Sequence, residues 1–231
     1  MVVLNPYDLV GISFWLATAA MMATAVFLFV ERQSVSHNWR LSITIAGLVA
    51  LIAFFHYMYM REMWVLTQQT PIVYRYVDWF LTVPLQFVEF YFILAAVTAV
   101  RGSFFWKLLV ASIVMLVTGY MGEAGLGNAL NLFILGMASW FYILYLIWFG
   151  EGAQTRNSIS NPNAQLAYSA IRIIVTFGWA IYPIGYALGV LSTTVNAEAL
   201  NLVYNLADIV NKIAFGLFIW YAAYKDTGTA H

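Results

Sequence analysis

The chain has 231 residues, of which 63% are hydrophobic and 9% are charged, whereas a soluble domain is typically about 45–50% apolar and about 25% charged. This composition excludes an ordinary water-soluble globule and indicates a protein of the lipid bilayer. The formal net charge is zero, so nucleic-acid binding has no electrostatic support. The sequence contains no cysteine, which excludes disulfides, a thiolate nucleophile and a cysteine-based metal site.

Seven apolar segments follow one another along the chain. A bilayer core of roughly 30 Å needs about 20 helical residues to cross it, and each segment reaches that length. They cover residues 7–30, 40–65, 73–99, 104–122, 127–149, 163–191 and 197–225. The longest connection, 150–162, is rich in Ser, Asn and Gly, and we expect it to be a loop. The pattern predicts an all-α, multi-pass membrane protein in which a seven-helix bundle forms one domain, 1–231.

Lysine and arginine are unevenly distributed between the two ends of these segments. One side carries Arg32, Arg40, Arg101, Lys107, Arg156 and Lys225. The other side has only Arg61. Since positively charged connections stay in the cytoplasm, we expect the N-terminus outside and the C-terminus in the cytoplasm. Arg172 falls inside the sixth segment, and two placements fit the sequence. Its side chain snorkels to the cytoplasmic surface, or the helix extends beyond the membrane.

A second group of ionisable residues lies inside the segments. Ionisable side chains at membrane depth are costly, and by default they are paired, face the bundle interior and serve a function. Three lie on the third segment, two on the seventh and one on the second. The group consists of His56, Arg75, Asp78, Glu89, Asp208 and Lys212.

The spacing of these residues places them on shared helix faces. On a helix that turns about 100° per residue, Asp78, Thr82 and Glu89 lie within roughly 40° of one another. The rise of about 1.5 Å per residue separates Asp78 from Glu89 by about 16 Å. Asp208 and Lys212, four residues apart, also share a face. We interpret this arrangement as a proton route.

In the expected orientation Glu89 lies toward the cytoplasm and Arg75 toward the outside, where it marks the exit. The alternative is a structural ion-pair network that locks the bundle together. Buried ion pairs contribute little to stability, and such a network would leave Glu89 unexplained. A counter-charge at Asp208 beside Lys212 is compatible with either interpretation.

Lys212 has the surroundings of a reactive amine. A lysine in an apolar pocket readily loses its proton, and the neutral amine forms a Schiff base with an aldehyde. Once protonated, that group is a buried cation, which Asp78 and Asp208 would balance. Aromatic residues fall near the same depth and would give flat walls to a long conjugated polyene, although for any single one packing between helices is the simpler explanation. They are Trp79, Trp140, Trp179, Tyr182 and Tyr186.

Several stretches of the chain resemble one protein family. The run RYVDWFLTVPL at 75–85 resembles the third-helix signature of microbial rhodopsins, and NLADIVNK at 205–212 resembles their retinal-attachment segment. Residues 56–61, 119–125 and 177–183 resemble the proteorhodopsin branch in particular. The resemblance covers nearly the whole chain, and the connection near 150–162 is its least similar part.

The resemblance implies a light-driven outward proton pump rather than an enzyme. Lys212 would carry all-trans-retinal as a protonated Schiff base. Asp78 would be its counter-ion and primary proton acceptor, Asp208 the second counter-ion, and Glu89 the cytoplasmic proton donor. Asp78, Thr82 and Glu89 together match the outward proton pumps of the family, whereas chloride pumps lack the first carboxylate and sodium pumps carry Asn, Asp and Gln.

Further roles follow from the same resemblance. His56 would pair with the counter-ion Asp78, while Tyr57 and Tyr182 would hydrogen-bond the second counter-ion. The positions that match the retinal pocket are Trp79, Gln86, Met115, Gly119, Trp140, Trp179, Tyr182, Pro183 and Tyr186. Gln86 implies a blue-absorbing pigment, because green-absorbing members have Leu there; alternatively, this glutamine only hydrogen-bonds a neighbouring helix.

The resemblance also implies the surroundings of the protein. It would lie in the lipid of the cell inner membrane, transport protons, and assemble as a pentamer or hexamer. Two other classes of function stay open. A photosensor would use the same pigment and signal through a partner, although sensory relatives often lack a carboxylate at the Glu89 position. A transporter or receptor without a chromophore would show no visible absorption after retinal is added.

Overall fold

This computed structural model describes residues 5–228, which form seven long apolar spans. Each is long and apolar enough to span a membrane, which confirms the predicted all-α seven-helix membrane protein. The spans are Leu9–Ser34, His37–Thr67, Ile72–Ala95, Gly102–Glu123, Ala129–Ser158, Pro162–Leu191 and Ala197–Gly228. Residues 5–228 contain no β-strand. Residues 1–4 and 229–231 of the expected 1–231 domain lie outside the described residues.

These spans are built from nine α-helices within residues 5–228. They are α1 (Leu9–Glu31), α2 (Arg40–Thr67), α3 (Ile72–Ala95), α4 (Gly102–Glu123), α5 (Ala129–Trp148), α6 (Glu151–Ser158), α7 (Pro162–Ile173), α8 (Ile181–Tyr186) and α9 (Ala197–Gly228). Consecutive spans pack side by side, and α9 closes the bundle against α1, α2 and α7. The most buried span is α3, so its polar residues lie at the centre of the bundle.

Polar residues set where several helices begin. The Asp8 carboxylate accepts a hydrogen bond from the Gly11 backbone N–H at 2.8 Å and caps α1. The Asn161 side chain caps α7 in the same way, accepting from the Ala164 N–H at 2.9 Å. Pro162 follows at the first helical position, where its missing N–H costs nothing. Side-chain acceptors at these positions satisfy N–H groups that the helix itself leaves unpaired.

The prediction of a loop at 150–162 is wrong. Most of it forms the helix α6, and only 159–161 separate it from α7. Glu151 in the first turn and Arg156 in the last turn match the helix dipole, and this short-range signal outweighs the Ser, Asn and Gly content. Gly152 packs so closely that a Cβ there would lie 2.3 Å from the Tyr168 hydroxyl. The fifth span therefore continues well beyond the expected end at 149.

The third span ends earlier than expected, at Ala95 instead of 99. The backbone N–H groups of Val97 and Thr98 both donate to the Leu94 carbonyl, at 3.1 and 2.9 Å. This turn closes the helix before the connection to α4 begins.

The sixth span is interrupted by two π-helical segments, Ile174–Gly178 and Ala187–Leu191. Such segments insert an extra residue into the helical turn and are frequent at functional sites. The first ends at Gly178, whose carbonyl accepts a hydrogen bond from Asn211 on α9 at 3.0 Å. A Cβ at Gly178 would lie 2.1 Å from the Asn211 side-chain oxygen. The glycine therefore lets α9 approach closely and fixes the position of its central turns.

Arg172 is held against the neighbouring span. Its guanidinium carbon lies 3.8 Å from the centre of the Trp148 ring on α5, and the Trp148 indole N–H donates to Thr176 at 2.8 Å. A cation over an aromatic face is stabilised electrostatically, most strongly where water is excluded. Neither of the two expected placements of Arg172 included this contact with Trp148.

We expect Gly152→Ala to destabilise the protein. The added methyl group meets Tyr168, Phe104 and the Leu146 backbone, and overpacking of this kind typically costs about 1–3 kcal/mol. Thermal unfolding in detergent should show a lower midpoint than in the unmodified protein. Gly102→Ala is the matched control, because nothing lies within 4 Å of its added Cβ. Equal midpoints for the two variants would contradict the packing of α6.

Candidate functional site

The centre of the bundle holds one lysine between two carboxylates. The Lys212 Nζ atom on α9 lies 2.5 Å from Asp78 Oδ2 on α3 and 2.9 Å from Asp208 Oδ2 on its own helix. All three side chains are at most 3% exposed. A buried charge without a partner is strongly unfavourable, so each member of this triad depends on the others.

The two carboxylates are bound differently. Asp208 accepts hydrogen bonds from the hydroxyl of Tyr57 at 2.7 Å and from that of Tyr182 at 2.5 Å, in addition to the Lys212 contact. Asp78 Oδ1, by contrast, has no hydrogen-bond partner within residues 5–228. Asp208 is therefore fixed in place as an acceptor, while Asp78 keeps one oxygen free to take up a proton.

His56 lies beside this free oxygen. Its Nδ1 atom is 3.9 Å from Asp78 Oδ1, too far for a hydrogen bond. The same nitrogen lies 2.9 Å from the Ile52 carbonyl one turn earlier on α2. The expected pairing of His56 with Asp78 is thus present as a close electrostatic contact without a direct hydrogen bond.

Arg75 lies one turn before Asp78 on α3 and is 2% exposed. Its Nη2 atom donates to the side-chain oxygens of Asn201 at 2.9 Å and Asn205 at 3.0 Å, both on α9. Its guanidinium carbon lies 5.4 Å from the centre of the Tyr204 ring. Two amides and an aromatic face therefore hold this buried cation in place. Its guanidinium forms no hydrogen bond with Asp78 or Asp208.

Glu89 lies at the other end of the same helix face and is fully buried. Within residues 5–228 neither of its carboxyl oxygens has a partner at hydrogen-bond distance, although the buried Ser42 side chain on α2 approaches it. Between the two carboxyls the Thr82 hydroxyl donates to the Asp78 backbone carbonyl at 2.9 Å. The predicted column of Asp78, Thr82 and Glu89 is buried along its length.

A cavity opens beside the Lys212 amine. About 880 Å³ of space lies between its lining atoms, including its open side. All nine positions that the sequence matched to a retinal pocket line it. They are Trp79, Gln86, Met115, Gly119, Trp140, Trp179, Tyr182, Pro183 and Tyr186.

The cavity walls fit a long, flat, apolar group attached to the amine. Aromatic rings form much of the lining, and the charged groups of the triad meet the cavity at Asp208 and Lys212. Three buried polar atoms elsewhere in the lining have no protein partner within residues 5–228: Gln86 Nε2, Trp140 Nε1 and the Tyr186 hydroxyl. A conjugated aldehyde needs an amine with which it can form a Schiff base and an apolar cavity for its chain, and this site offers both.

Several residues of the site were not predicted from the sequence. Glu123 lines the cavity, but its position beside a glycine-rich connection made it look like a loop charge. Its spacing of four from Gly119, and of eight from Met115, places all three on one helix face, and that signal could have identified it. The same kind of spacing applies to Asn201 and Asn205, whose amides hold Arg75: they are four residues apart and share one face of α9.

Comparisons with known proteins agree with this geometry. Residues 8–226 match the family model described as bacteriorhodopsin-like protein. The chain is 55% identical over 228 residues to the green-light absorbing proteorhodopsin of Gamma-proteobacterium EBAC31A08, covering 98% of this chain and 91% of that protein. It is also 55% identical over 225 residues to the blue-light absorbing proteorhodopsin of Gamma-proteobacterium Hot 75m4, with 96% and 89% covered.

A crystal structure of the blue light-absorbing proteorhodopsin from Med12 superposes with a TM-score of 0.83 at 53% identity, covering 95% of this chain and 100% of that one. The chain therefore belongs to the bacteriorhodopsin-like family and is a microbial rhodopsin. Within that family its similarity is to the proteorhodopsins, which confirms the resemblance found in the sequence. Identity to the green and blue relatives is equal, so overall similarity does not determine the colour.

Proposed function

We propose that the protein is a light-driven outward proton pump that carries all-trans-retinal on Lys212. The observation that carries this proposal is the placement of buried carboxyls on α3 at both ends of one polar face. Asp78 contacts the Lys212 amine, and Glu89 lies eleven positions further along the same helix. A pump needs a proton acceptor and a proton donor on opposite sides of a central group, and this face supplies both.

When bound at Lys212, retinal supplies light absorption and an isomerisation that changes which side of the membrane the Lys212 nitrogen faces. The chain provides the groups that then move the proton. Lys212 Nζ gives its proton to Asp78 rather than to Asp208. Asp208 already accepts hydrogen bonds from Tyr57 and Tyr182, and such bonds favour the ionised carboxylate. Asp208 therefore remains the fixed counter-charge while Asp78 changes its protonation state.

The outward path continues past Arg75. The proton on Asp78 leaves toward the end of α3 where Arg75 lies, and the amides of Asn201 and Asn205 hold this cation in the path. Its fixed positive charge disfavours the return of an excess proton from the outside. Arg75 thereby separates the medium from the central triad.

Glu89 returns a proton to Lys212 Nζ from the opposite side. Its full burial without hydrogen-bonded partners within residues 5–228 favours a carboxyl that holds its proton before light is absorbed. After donating, Glu89 is refilled from the cytoplasm. Direction comes from the change in access at the Lys212 nitrogen, because proton transfer by itself has no direction.

The proposal places the protein as one domain in the inner cell membrane, with the N-terminus outside and the C-terminus in the cytoplasm. The excess of Lys and Arg on one side supports this orientation. Lipid surrounds the bundle, and ring-shaped pentamers or hexamers are the proposed assembly, by resemblance to the family.

Illuminated cells that produce the protein with retinal should acidify their medium, and a protonophore should abolish the signal. Asp78→Asn removes the acceptor beside Lys212 and should abolish acidification as well. Glu198→Gln, an exposed carboxylate on α9, is the control that should pump normally. A visible band and a slow photocycle without acidification would instead identify a photosensor, and no visible band after retinal addition would exclude a pigment.

The visible band should shift to longer wavelength as the medium is made acidic. Protonation of Asp78 removes the negative charge beside the Lys212 nitrogen, and the positive charge there then spreads more easily along the bound polyene. Titration of the absorption spectrum measures this shift. Asp78→Asn should absorb at long wavelength across the range, and a band that still titrates there would contradict the assignment.

Gln86 supports blue absorption as part of the proposal. Its side chain is 1% exposed and faces the cavity, and its Nε2 atom has no partner within residues 5–228. A helix-bridging role would require such a partner. Gln86→Leu should therefore shift the absorption maximum to longer wavelength while leaving the pump active. Gln154→Leu, on α6 and away from the cavity, is the matched control, and an unchanged maximum in Gln86→Leu would refute the tuning role.

A further inference from the structure

The cavity wall contains a carboxyl that the proton route described above does not use. Glu123 is the last residue of α4 and lines the same cavity as Lys212. Since α4 ends at the side of the bundle where α3 begins, Glu123 lies on the Arg75 side, opposite to Glu89. It is partly exposed and the residues after it are exposed, so it connects the cavity with the medium.

Tyr76 links Glu123 to the third span. The Tyr76 hydroxyl lies close to the Glu123 carboxylate and interacts with it electrostatically. Its position is fixed by α4 itself, because a Cβ at Gly119, one turn before Glu123, would lie 3.2 Å from this hydroxyl. The Tyr76 side chain is only 5% exposed, and it packs edge-on against Trp79 with ring centres 5.1 Å apart. A buried phenol therefore connects this carboxylate to the helix that carries Asp78.

The charged and titratable groups that face Glu123 come from three other helices. Arg75 and Tyr76 belong to α3, Tyr186 to α8 and Tyr204 to α9. Arg75 interacts electrostatically with Glu123 on one side and with Asp208 on the other. The cation is therefore near both the central triad and a carboxylate that borders the medium.

We propose that Glu123 is the exit carboxylate through which the proton of Asp78 leaves, with Tyr76 as the residue that positions it. This step rests on the proposed pump function. An O–H bond breaks at Asp78 and one forms at Glu123, with water molecules in the cavity carrying the proton between the two carboxyls. The Glu123 O–H bond then breaks to external water, which leaves the ionised carboxylate beside Tyr76 again. One proton leaves per cycle, and Glu123 ends as it began.

The surroundings of Arg75 explain why proton release needs a carboxylate at the rim of the bundle. Arg75 lies between Asp78 and the N-terminal end of α3, where its guanidinium contacts the two asparagine amides and the aromatic ring of Tyr204. None of these groups is a carboxylate able to hold a proton at the rim. Glu123 provides that capacity beside them.

The test follows both ends of the release step after a light flash, in purified protein with retinal bound. Infrared absorption of the Asp78 carboxyl reports when Asp78 gains and loses its proton, and a pH-indicator dye reports arrival in the medium. In Glu123→Gln, Asp78 should gain its proton at the normal rate. It should lose that proton more slowly, and the dye signal should be delayed by the same factor. Glu198→Gln, an exposed carboxylate at the same end of the bundle, should match the unmodified protein.

Tyr76→Phe keeps the carboxylate and should slow the same two signals to a smaller extent. It also decides the question if Glu123→Gln forms no visible band. Normal Asp78 decay and dye timing in Glu123→Gln, or in Tyr76→Phe where the first variant does not assemble, would overturn the proposal. Failure of the pump proposal is separate, because it appears as absent acidification by the unmodified protein.

Discussion

The structure depends on a buried lysine that cannot be left without counter-charge. Lys212 contacts both Asp78 and Asp208 at the centre of the bundle, where a single ion would be strongly disfavoured and even a matched pair adds little stability. Stability alone therefore gives no reason to keep three ionisable groups there. The arrangement makes sense for a function in which one of the three changes its charge, and the surrounding helices have to hold the others still.

The two aspartates differ in their hydrogen-bond partners. Two tyrosine hydroxyls from α2 and α8 fix Asp208, and the π-helical segment at Ile174–Gly178 with Asn211 keeps α9 in register with them. Asp78 has a free oxygen facing His56 at 3.9 Å. In the proposed pump, two carboxylates of the same type thus take opposite roles because their hydrogen-bond environments differ, one as a permanent charge and one as a proton acceptor.

The sequence predicts the fold well wherever length and hydropathy decide it, and the site wherever helical spacing decides it. The column from Asp78 to Glu89 follows from positions on a helix face, whereas the residues of the cavity lining were matched through the resemblance to the family. The helix at Glu151–Ser158 was missed because its residues are those of a loop, and its stability comes from terminal charges and contacts with Tyr168. The partners of Arg75 were missed because contacts between α3 and α9 depend on tertiary packing, which no local pattern encodes.

The same cavity wall serves two purposes that act at separate points. Gln86 and Tyr76 both line it from α3, ten positions apart, which is about 15 Å along the helix. In the proposed pigment, Gln86 offers an amide to the group that fills the cavity and thereby sets the energy of the absorbed light. Tyr76 instead presents its ring to the cavity and its hydroxyl to Glu123, and in the proposed release step it acts on where the proton goes afterwards. If both proposals hold, a substitution at Gln86 changes the colour and one at Tyr76 changes proton exit, each without the other, although one helix carries both residues.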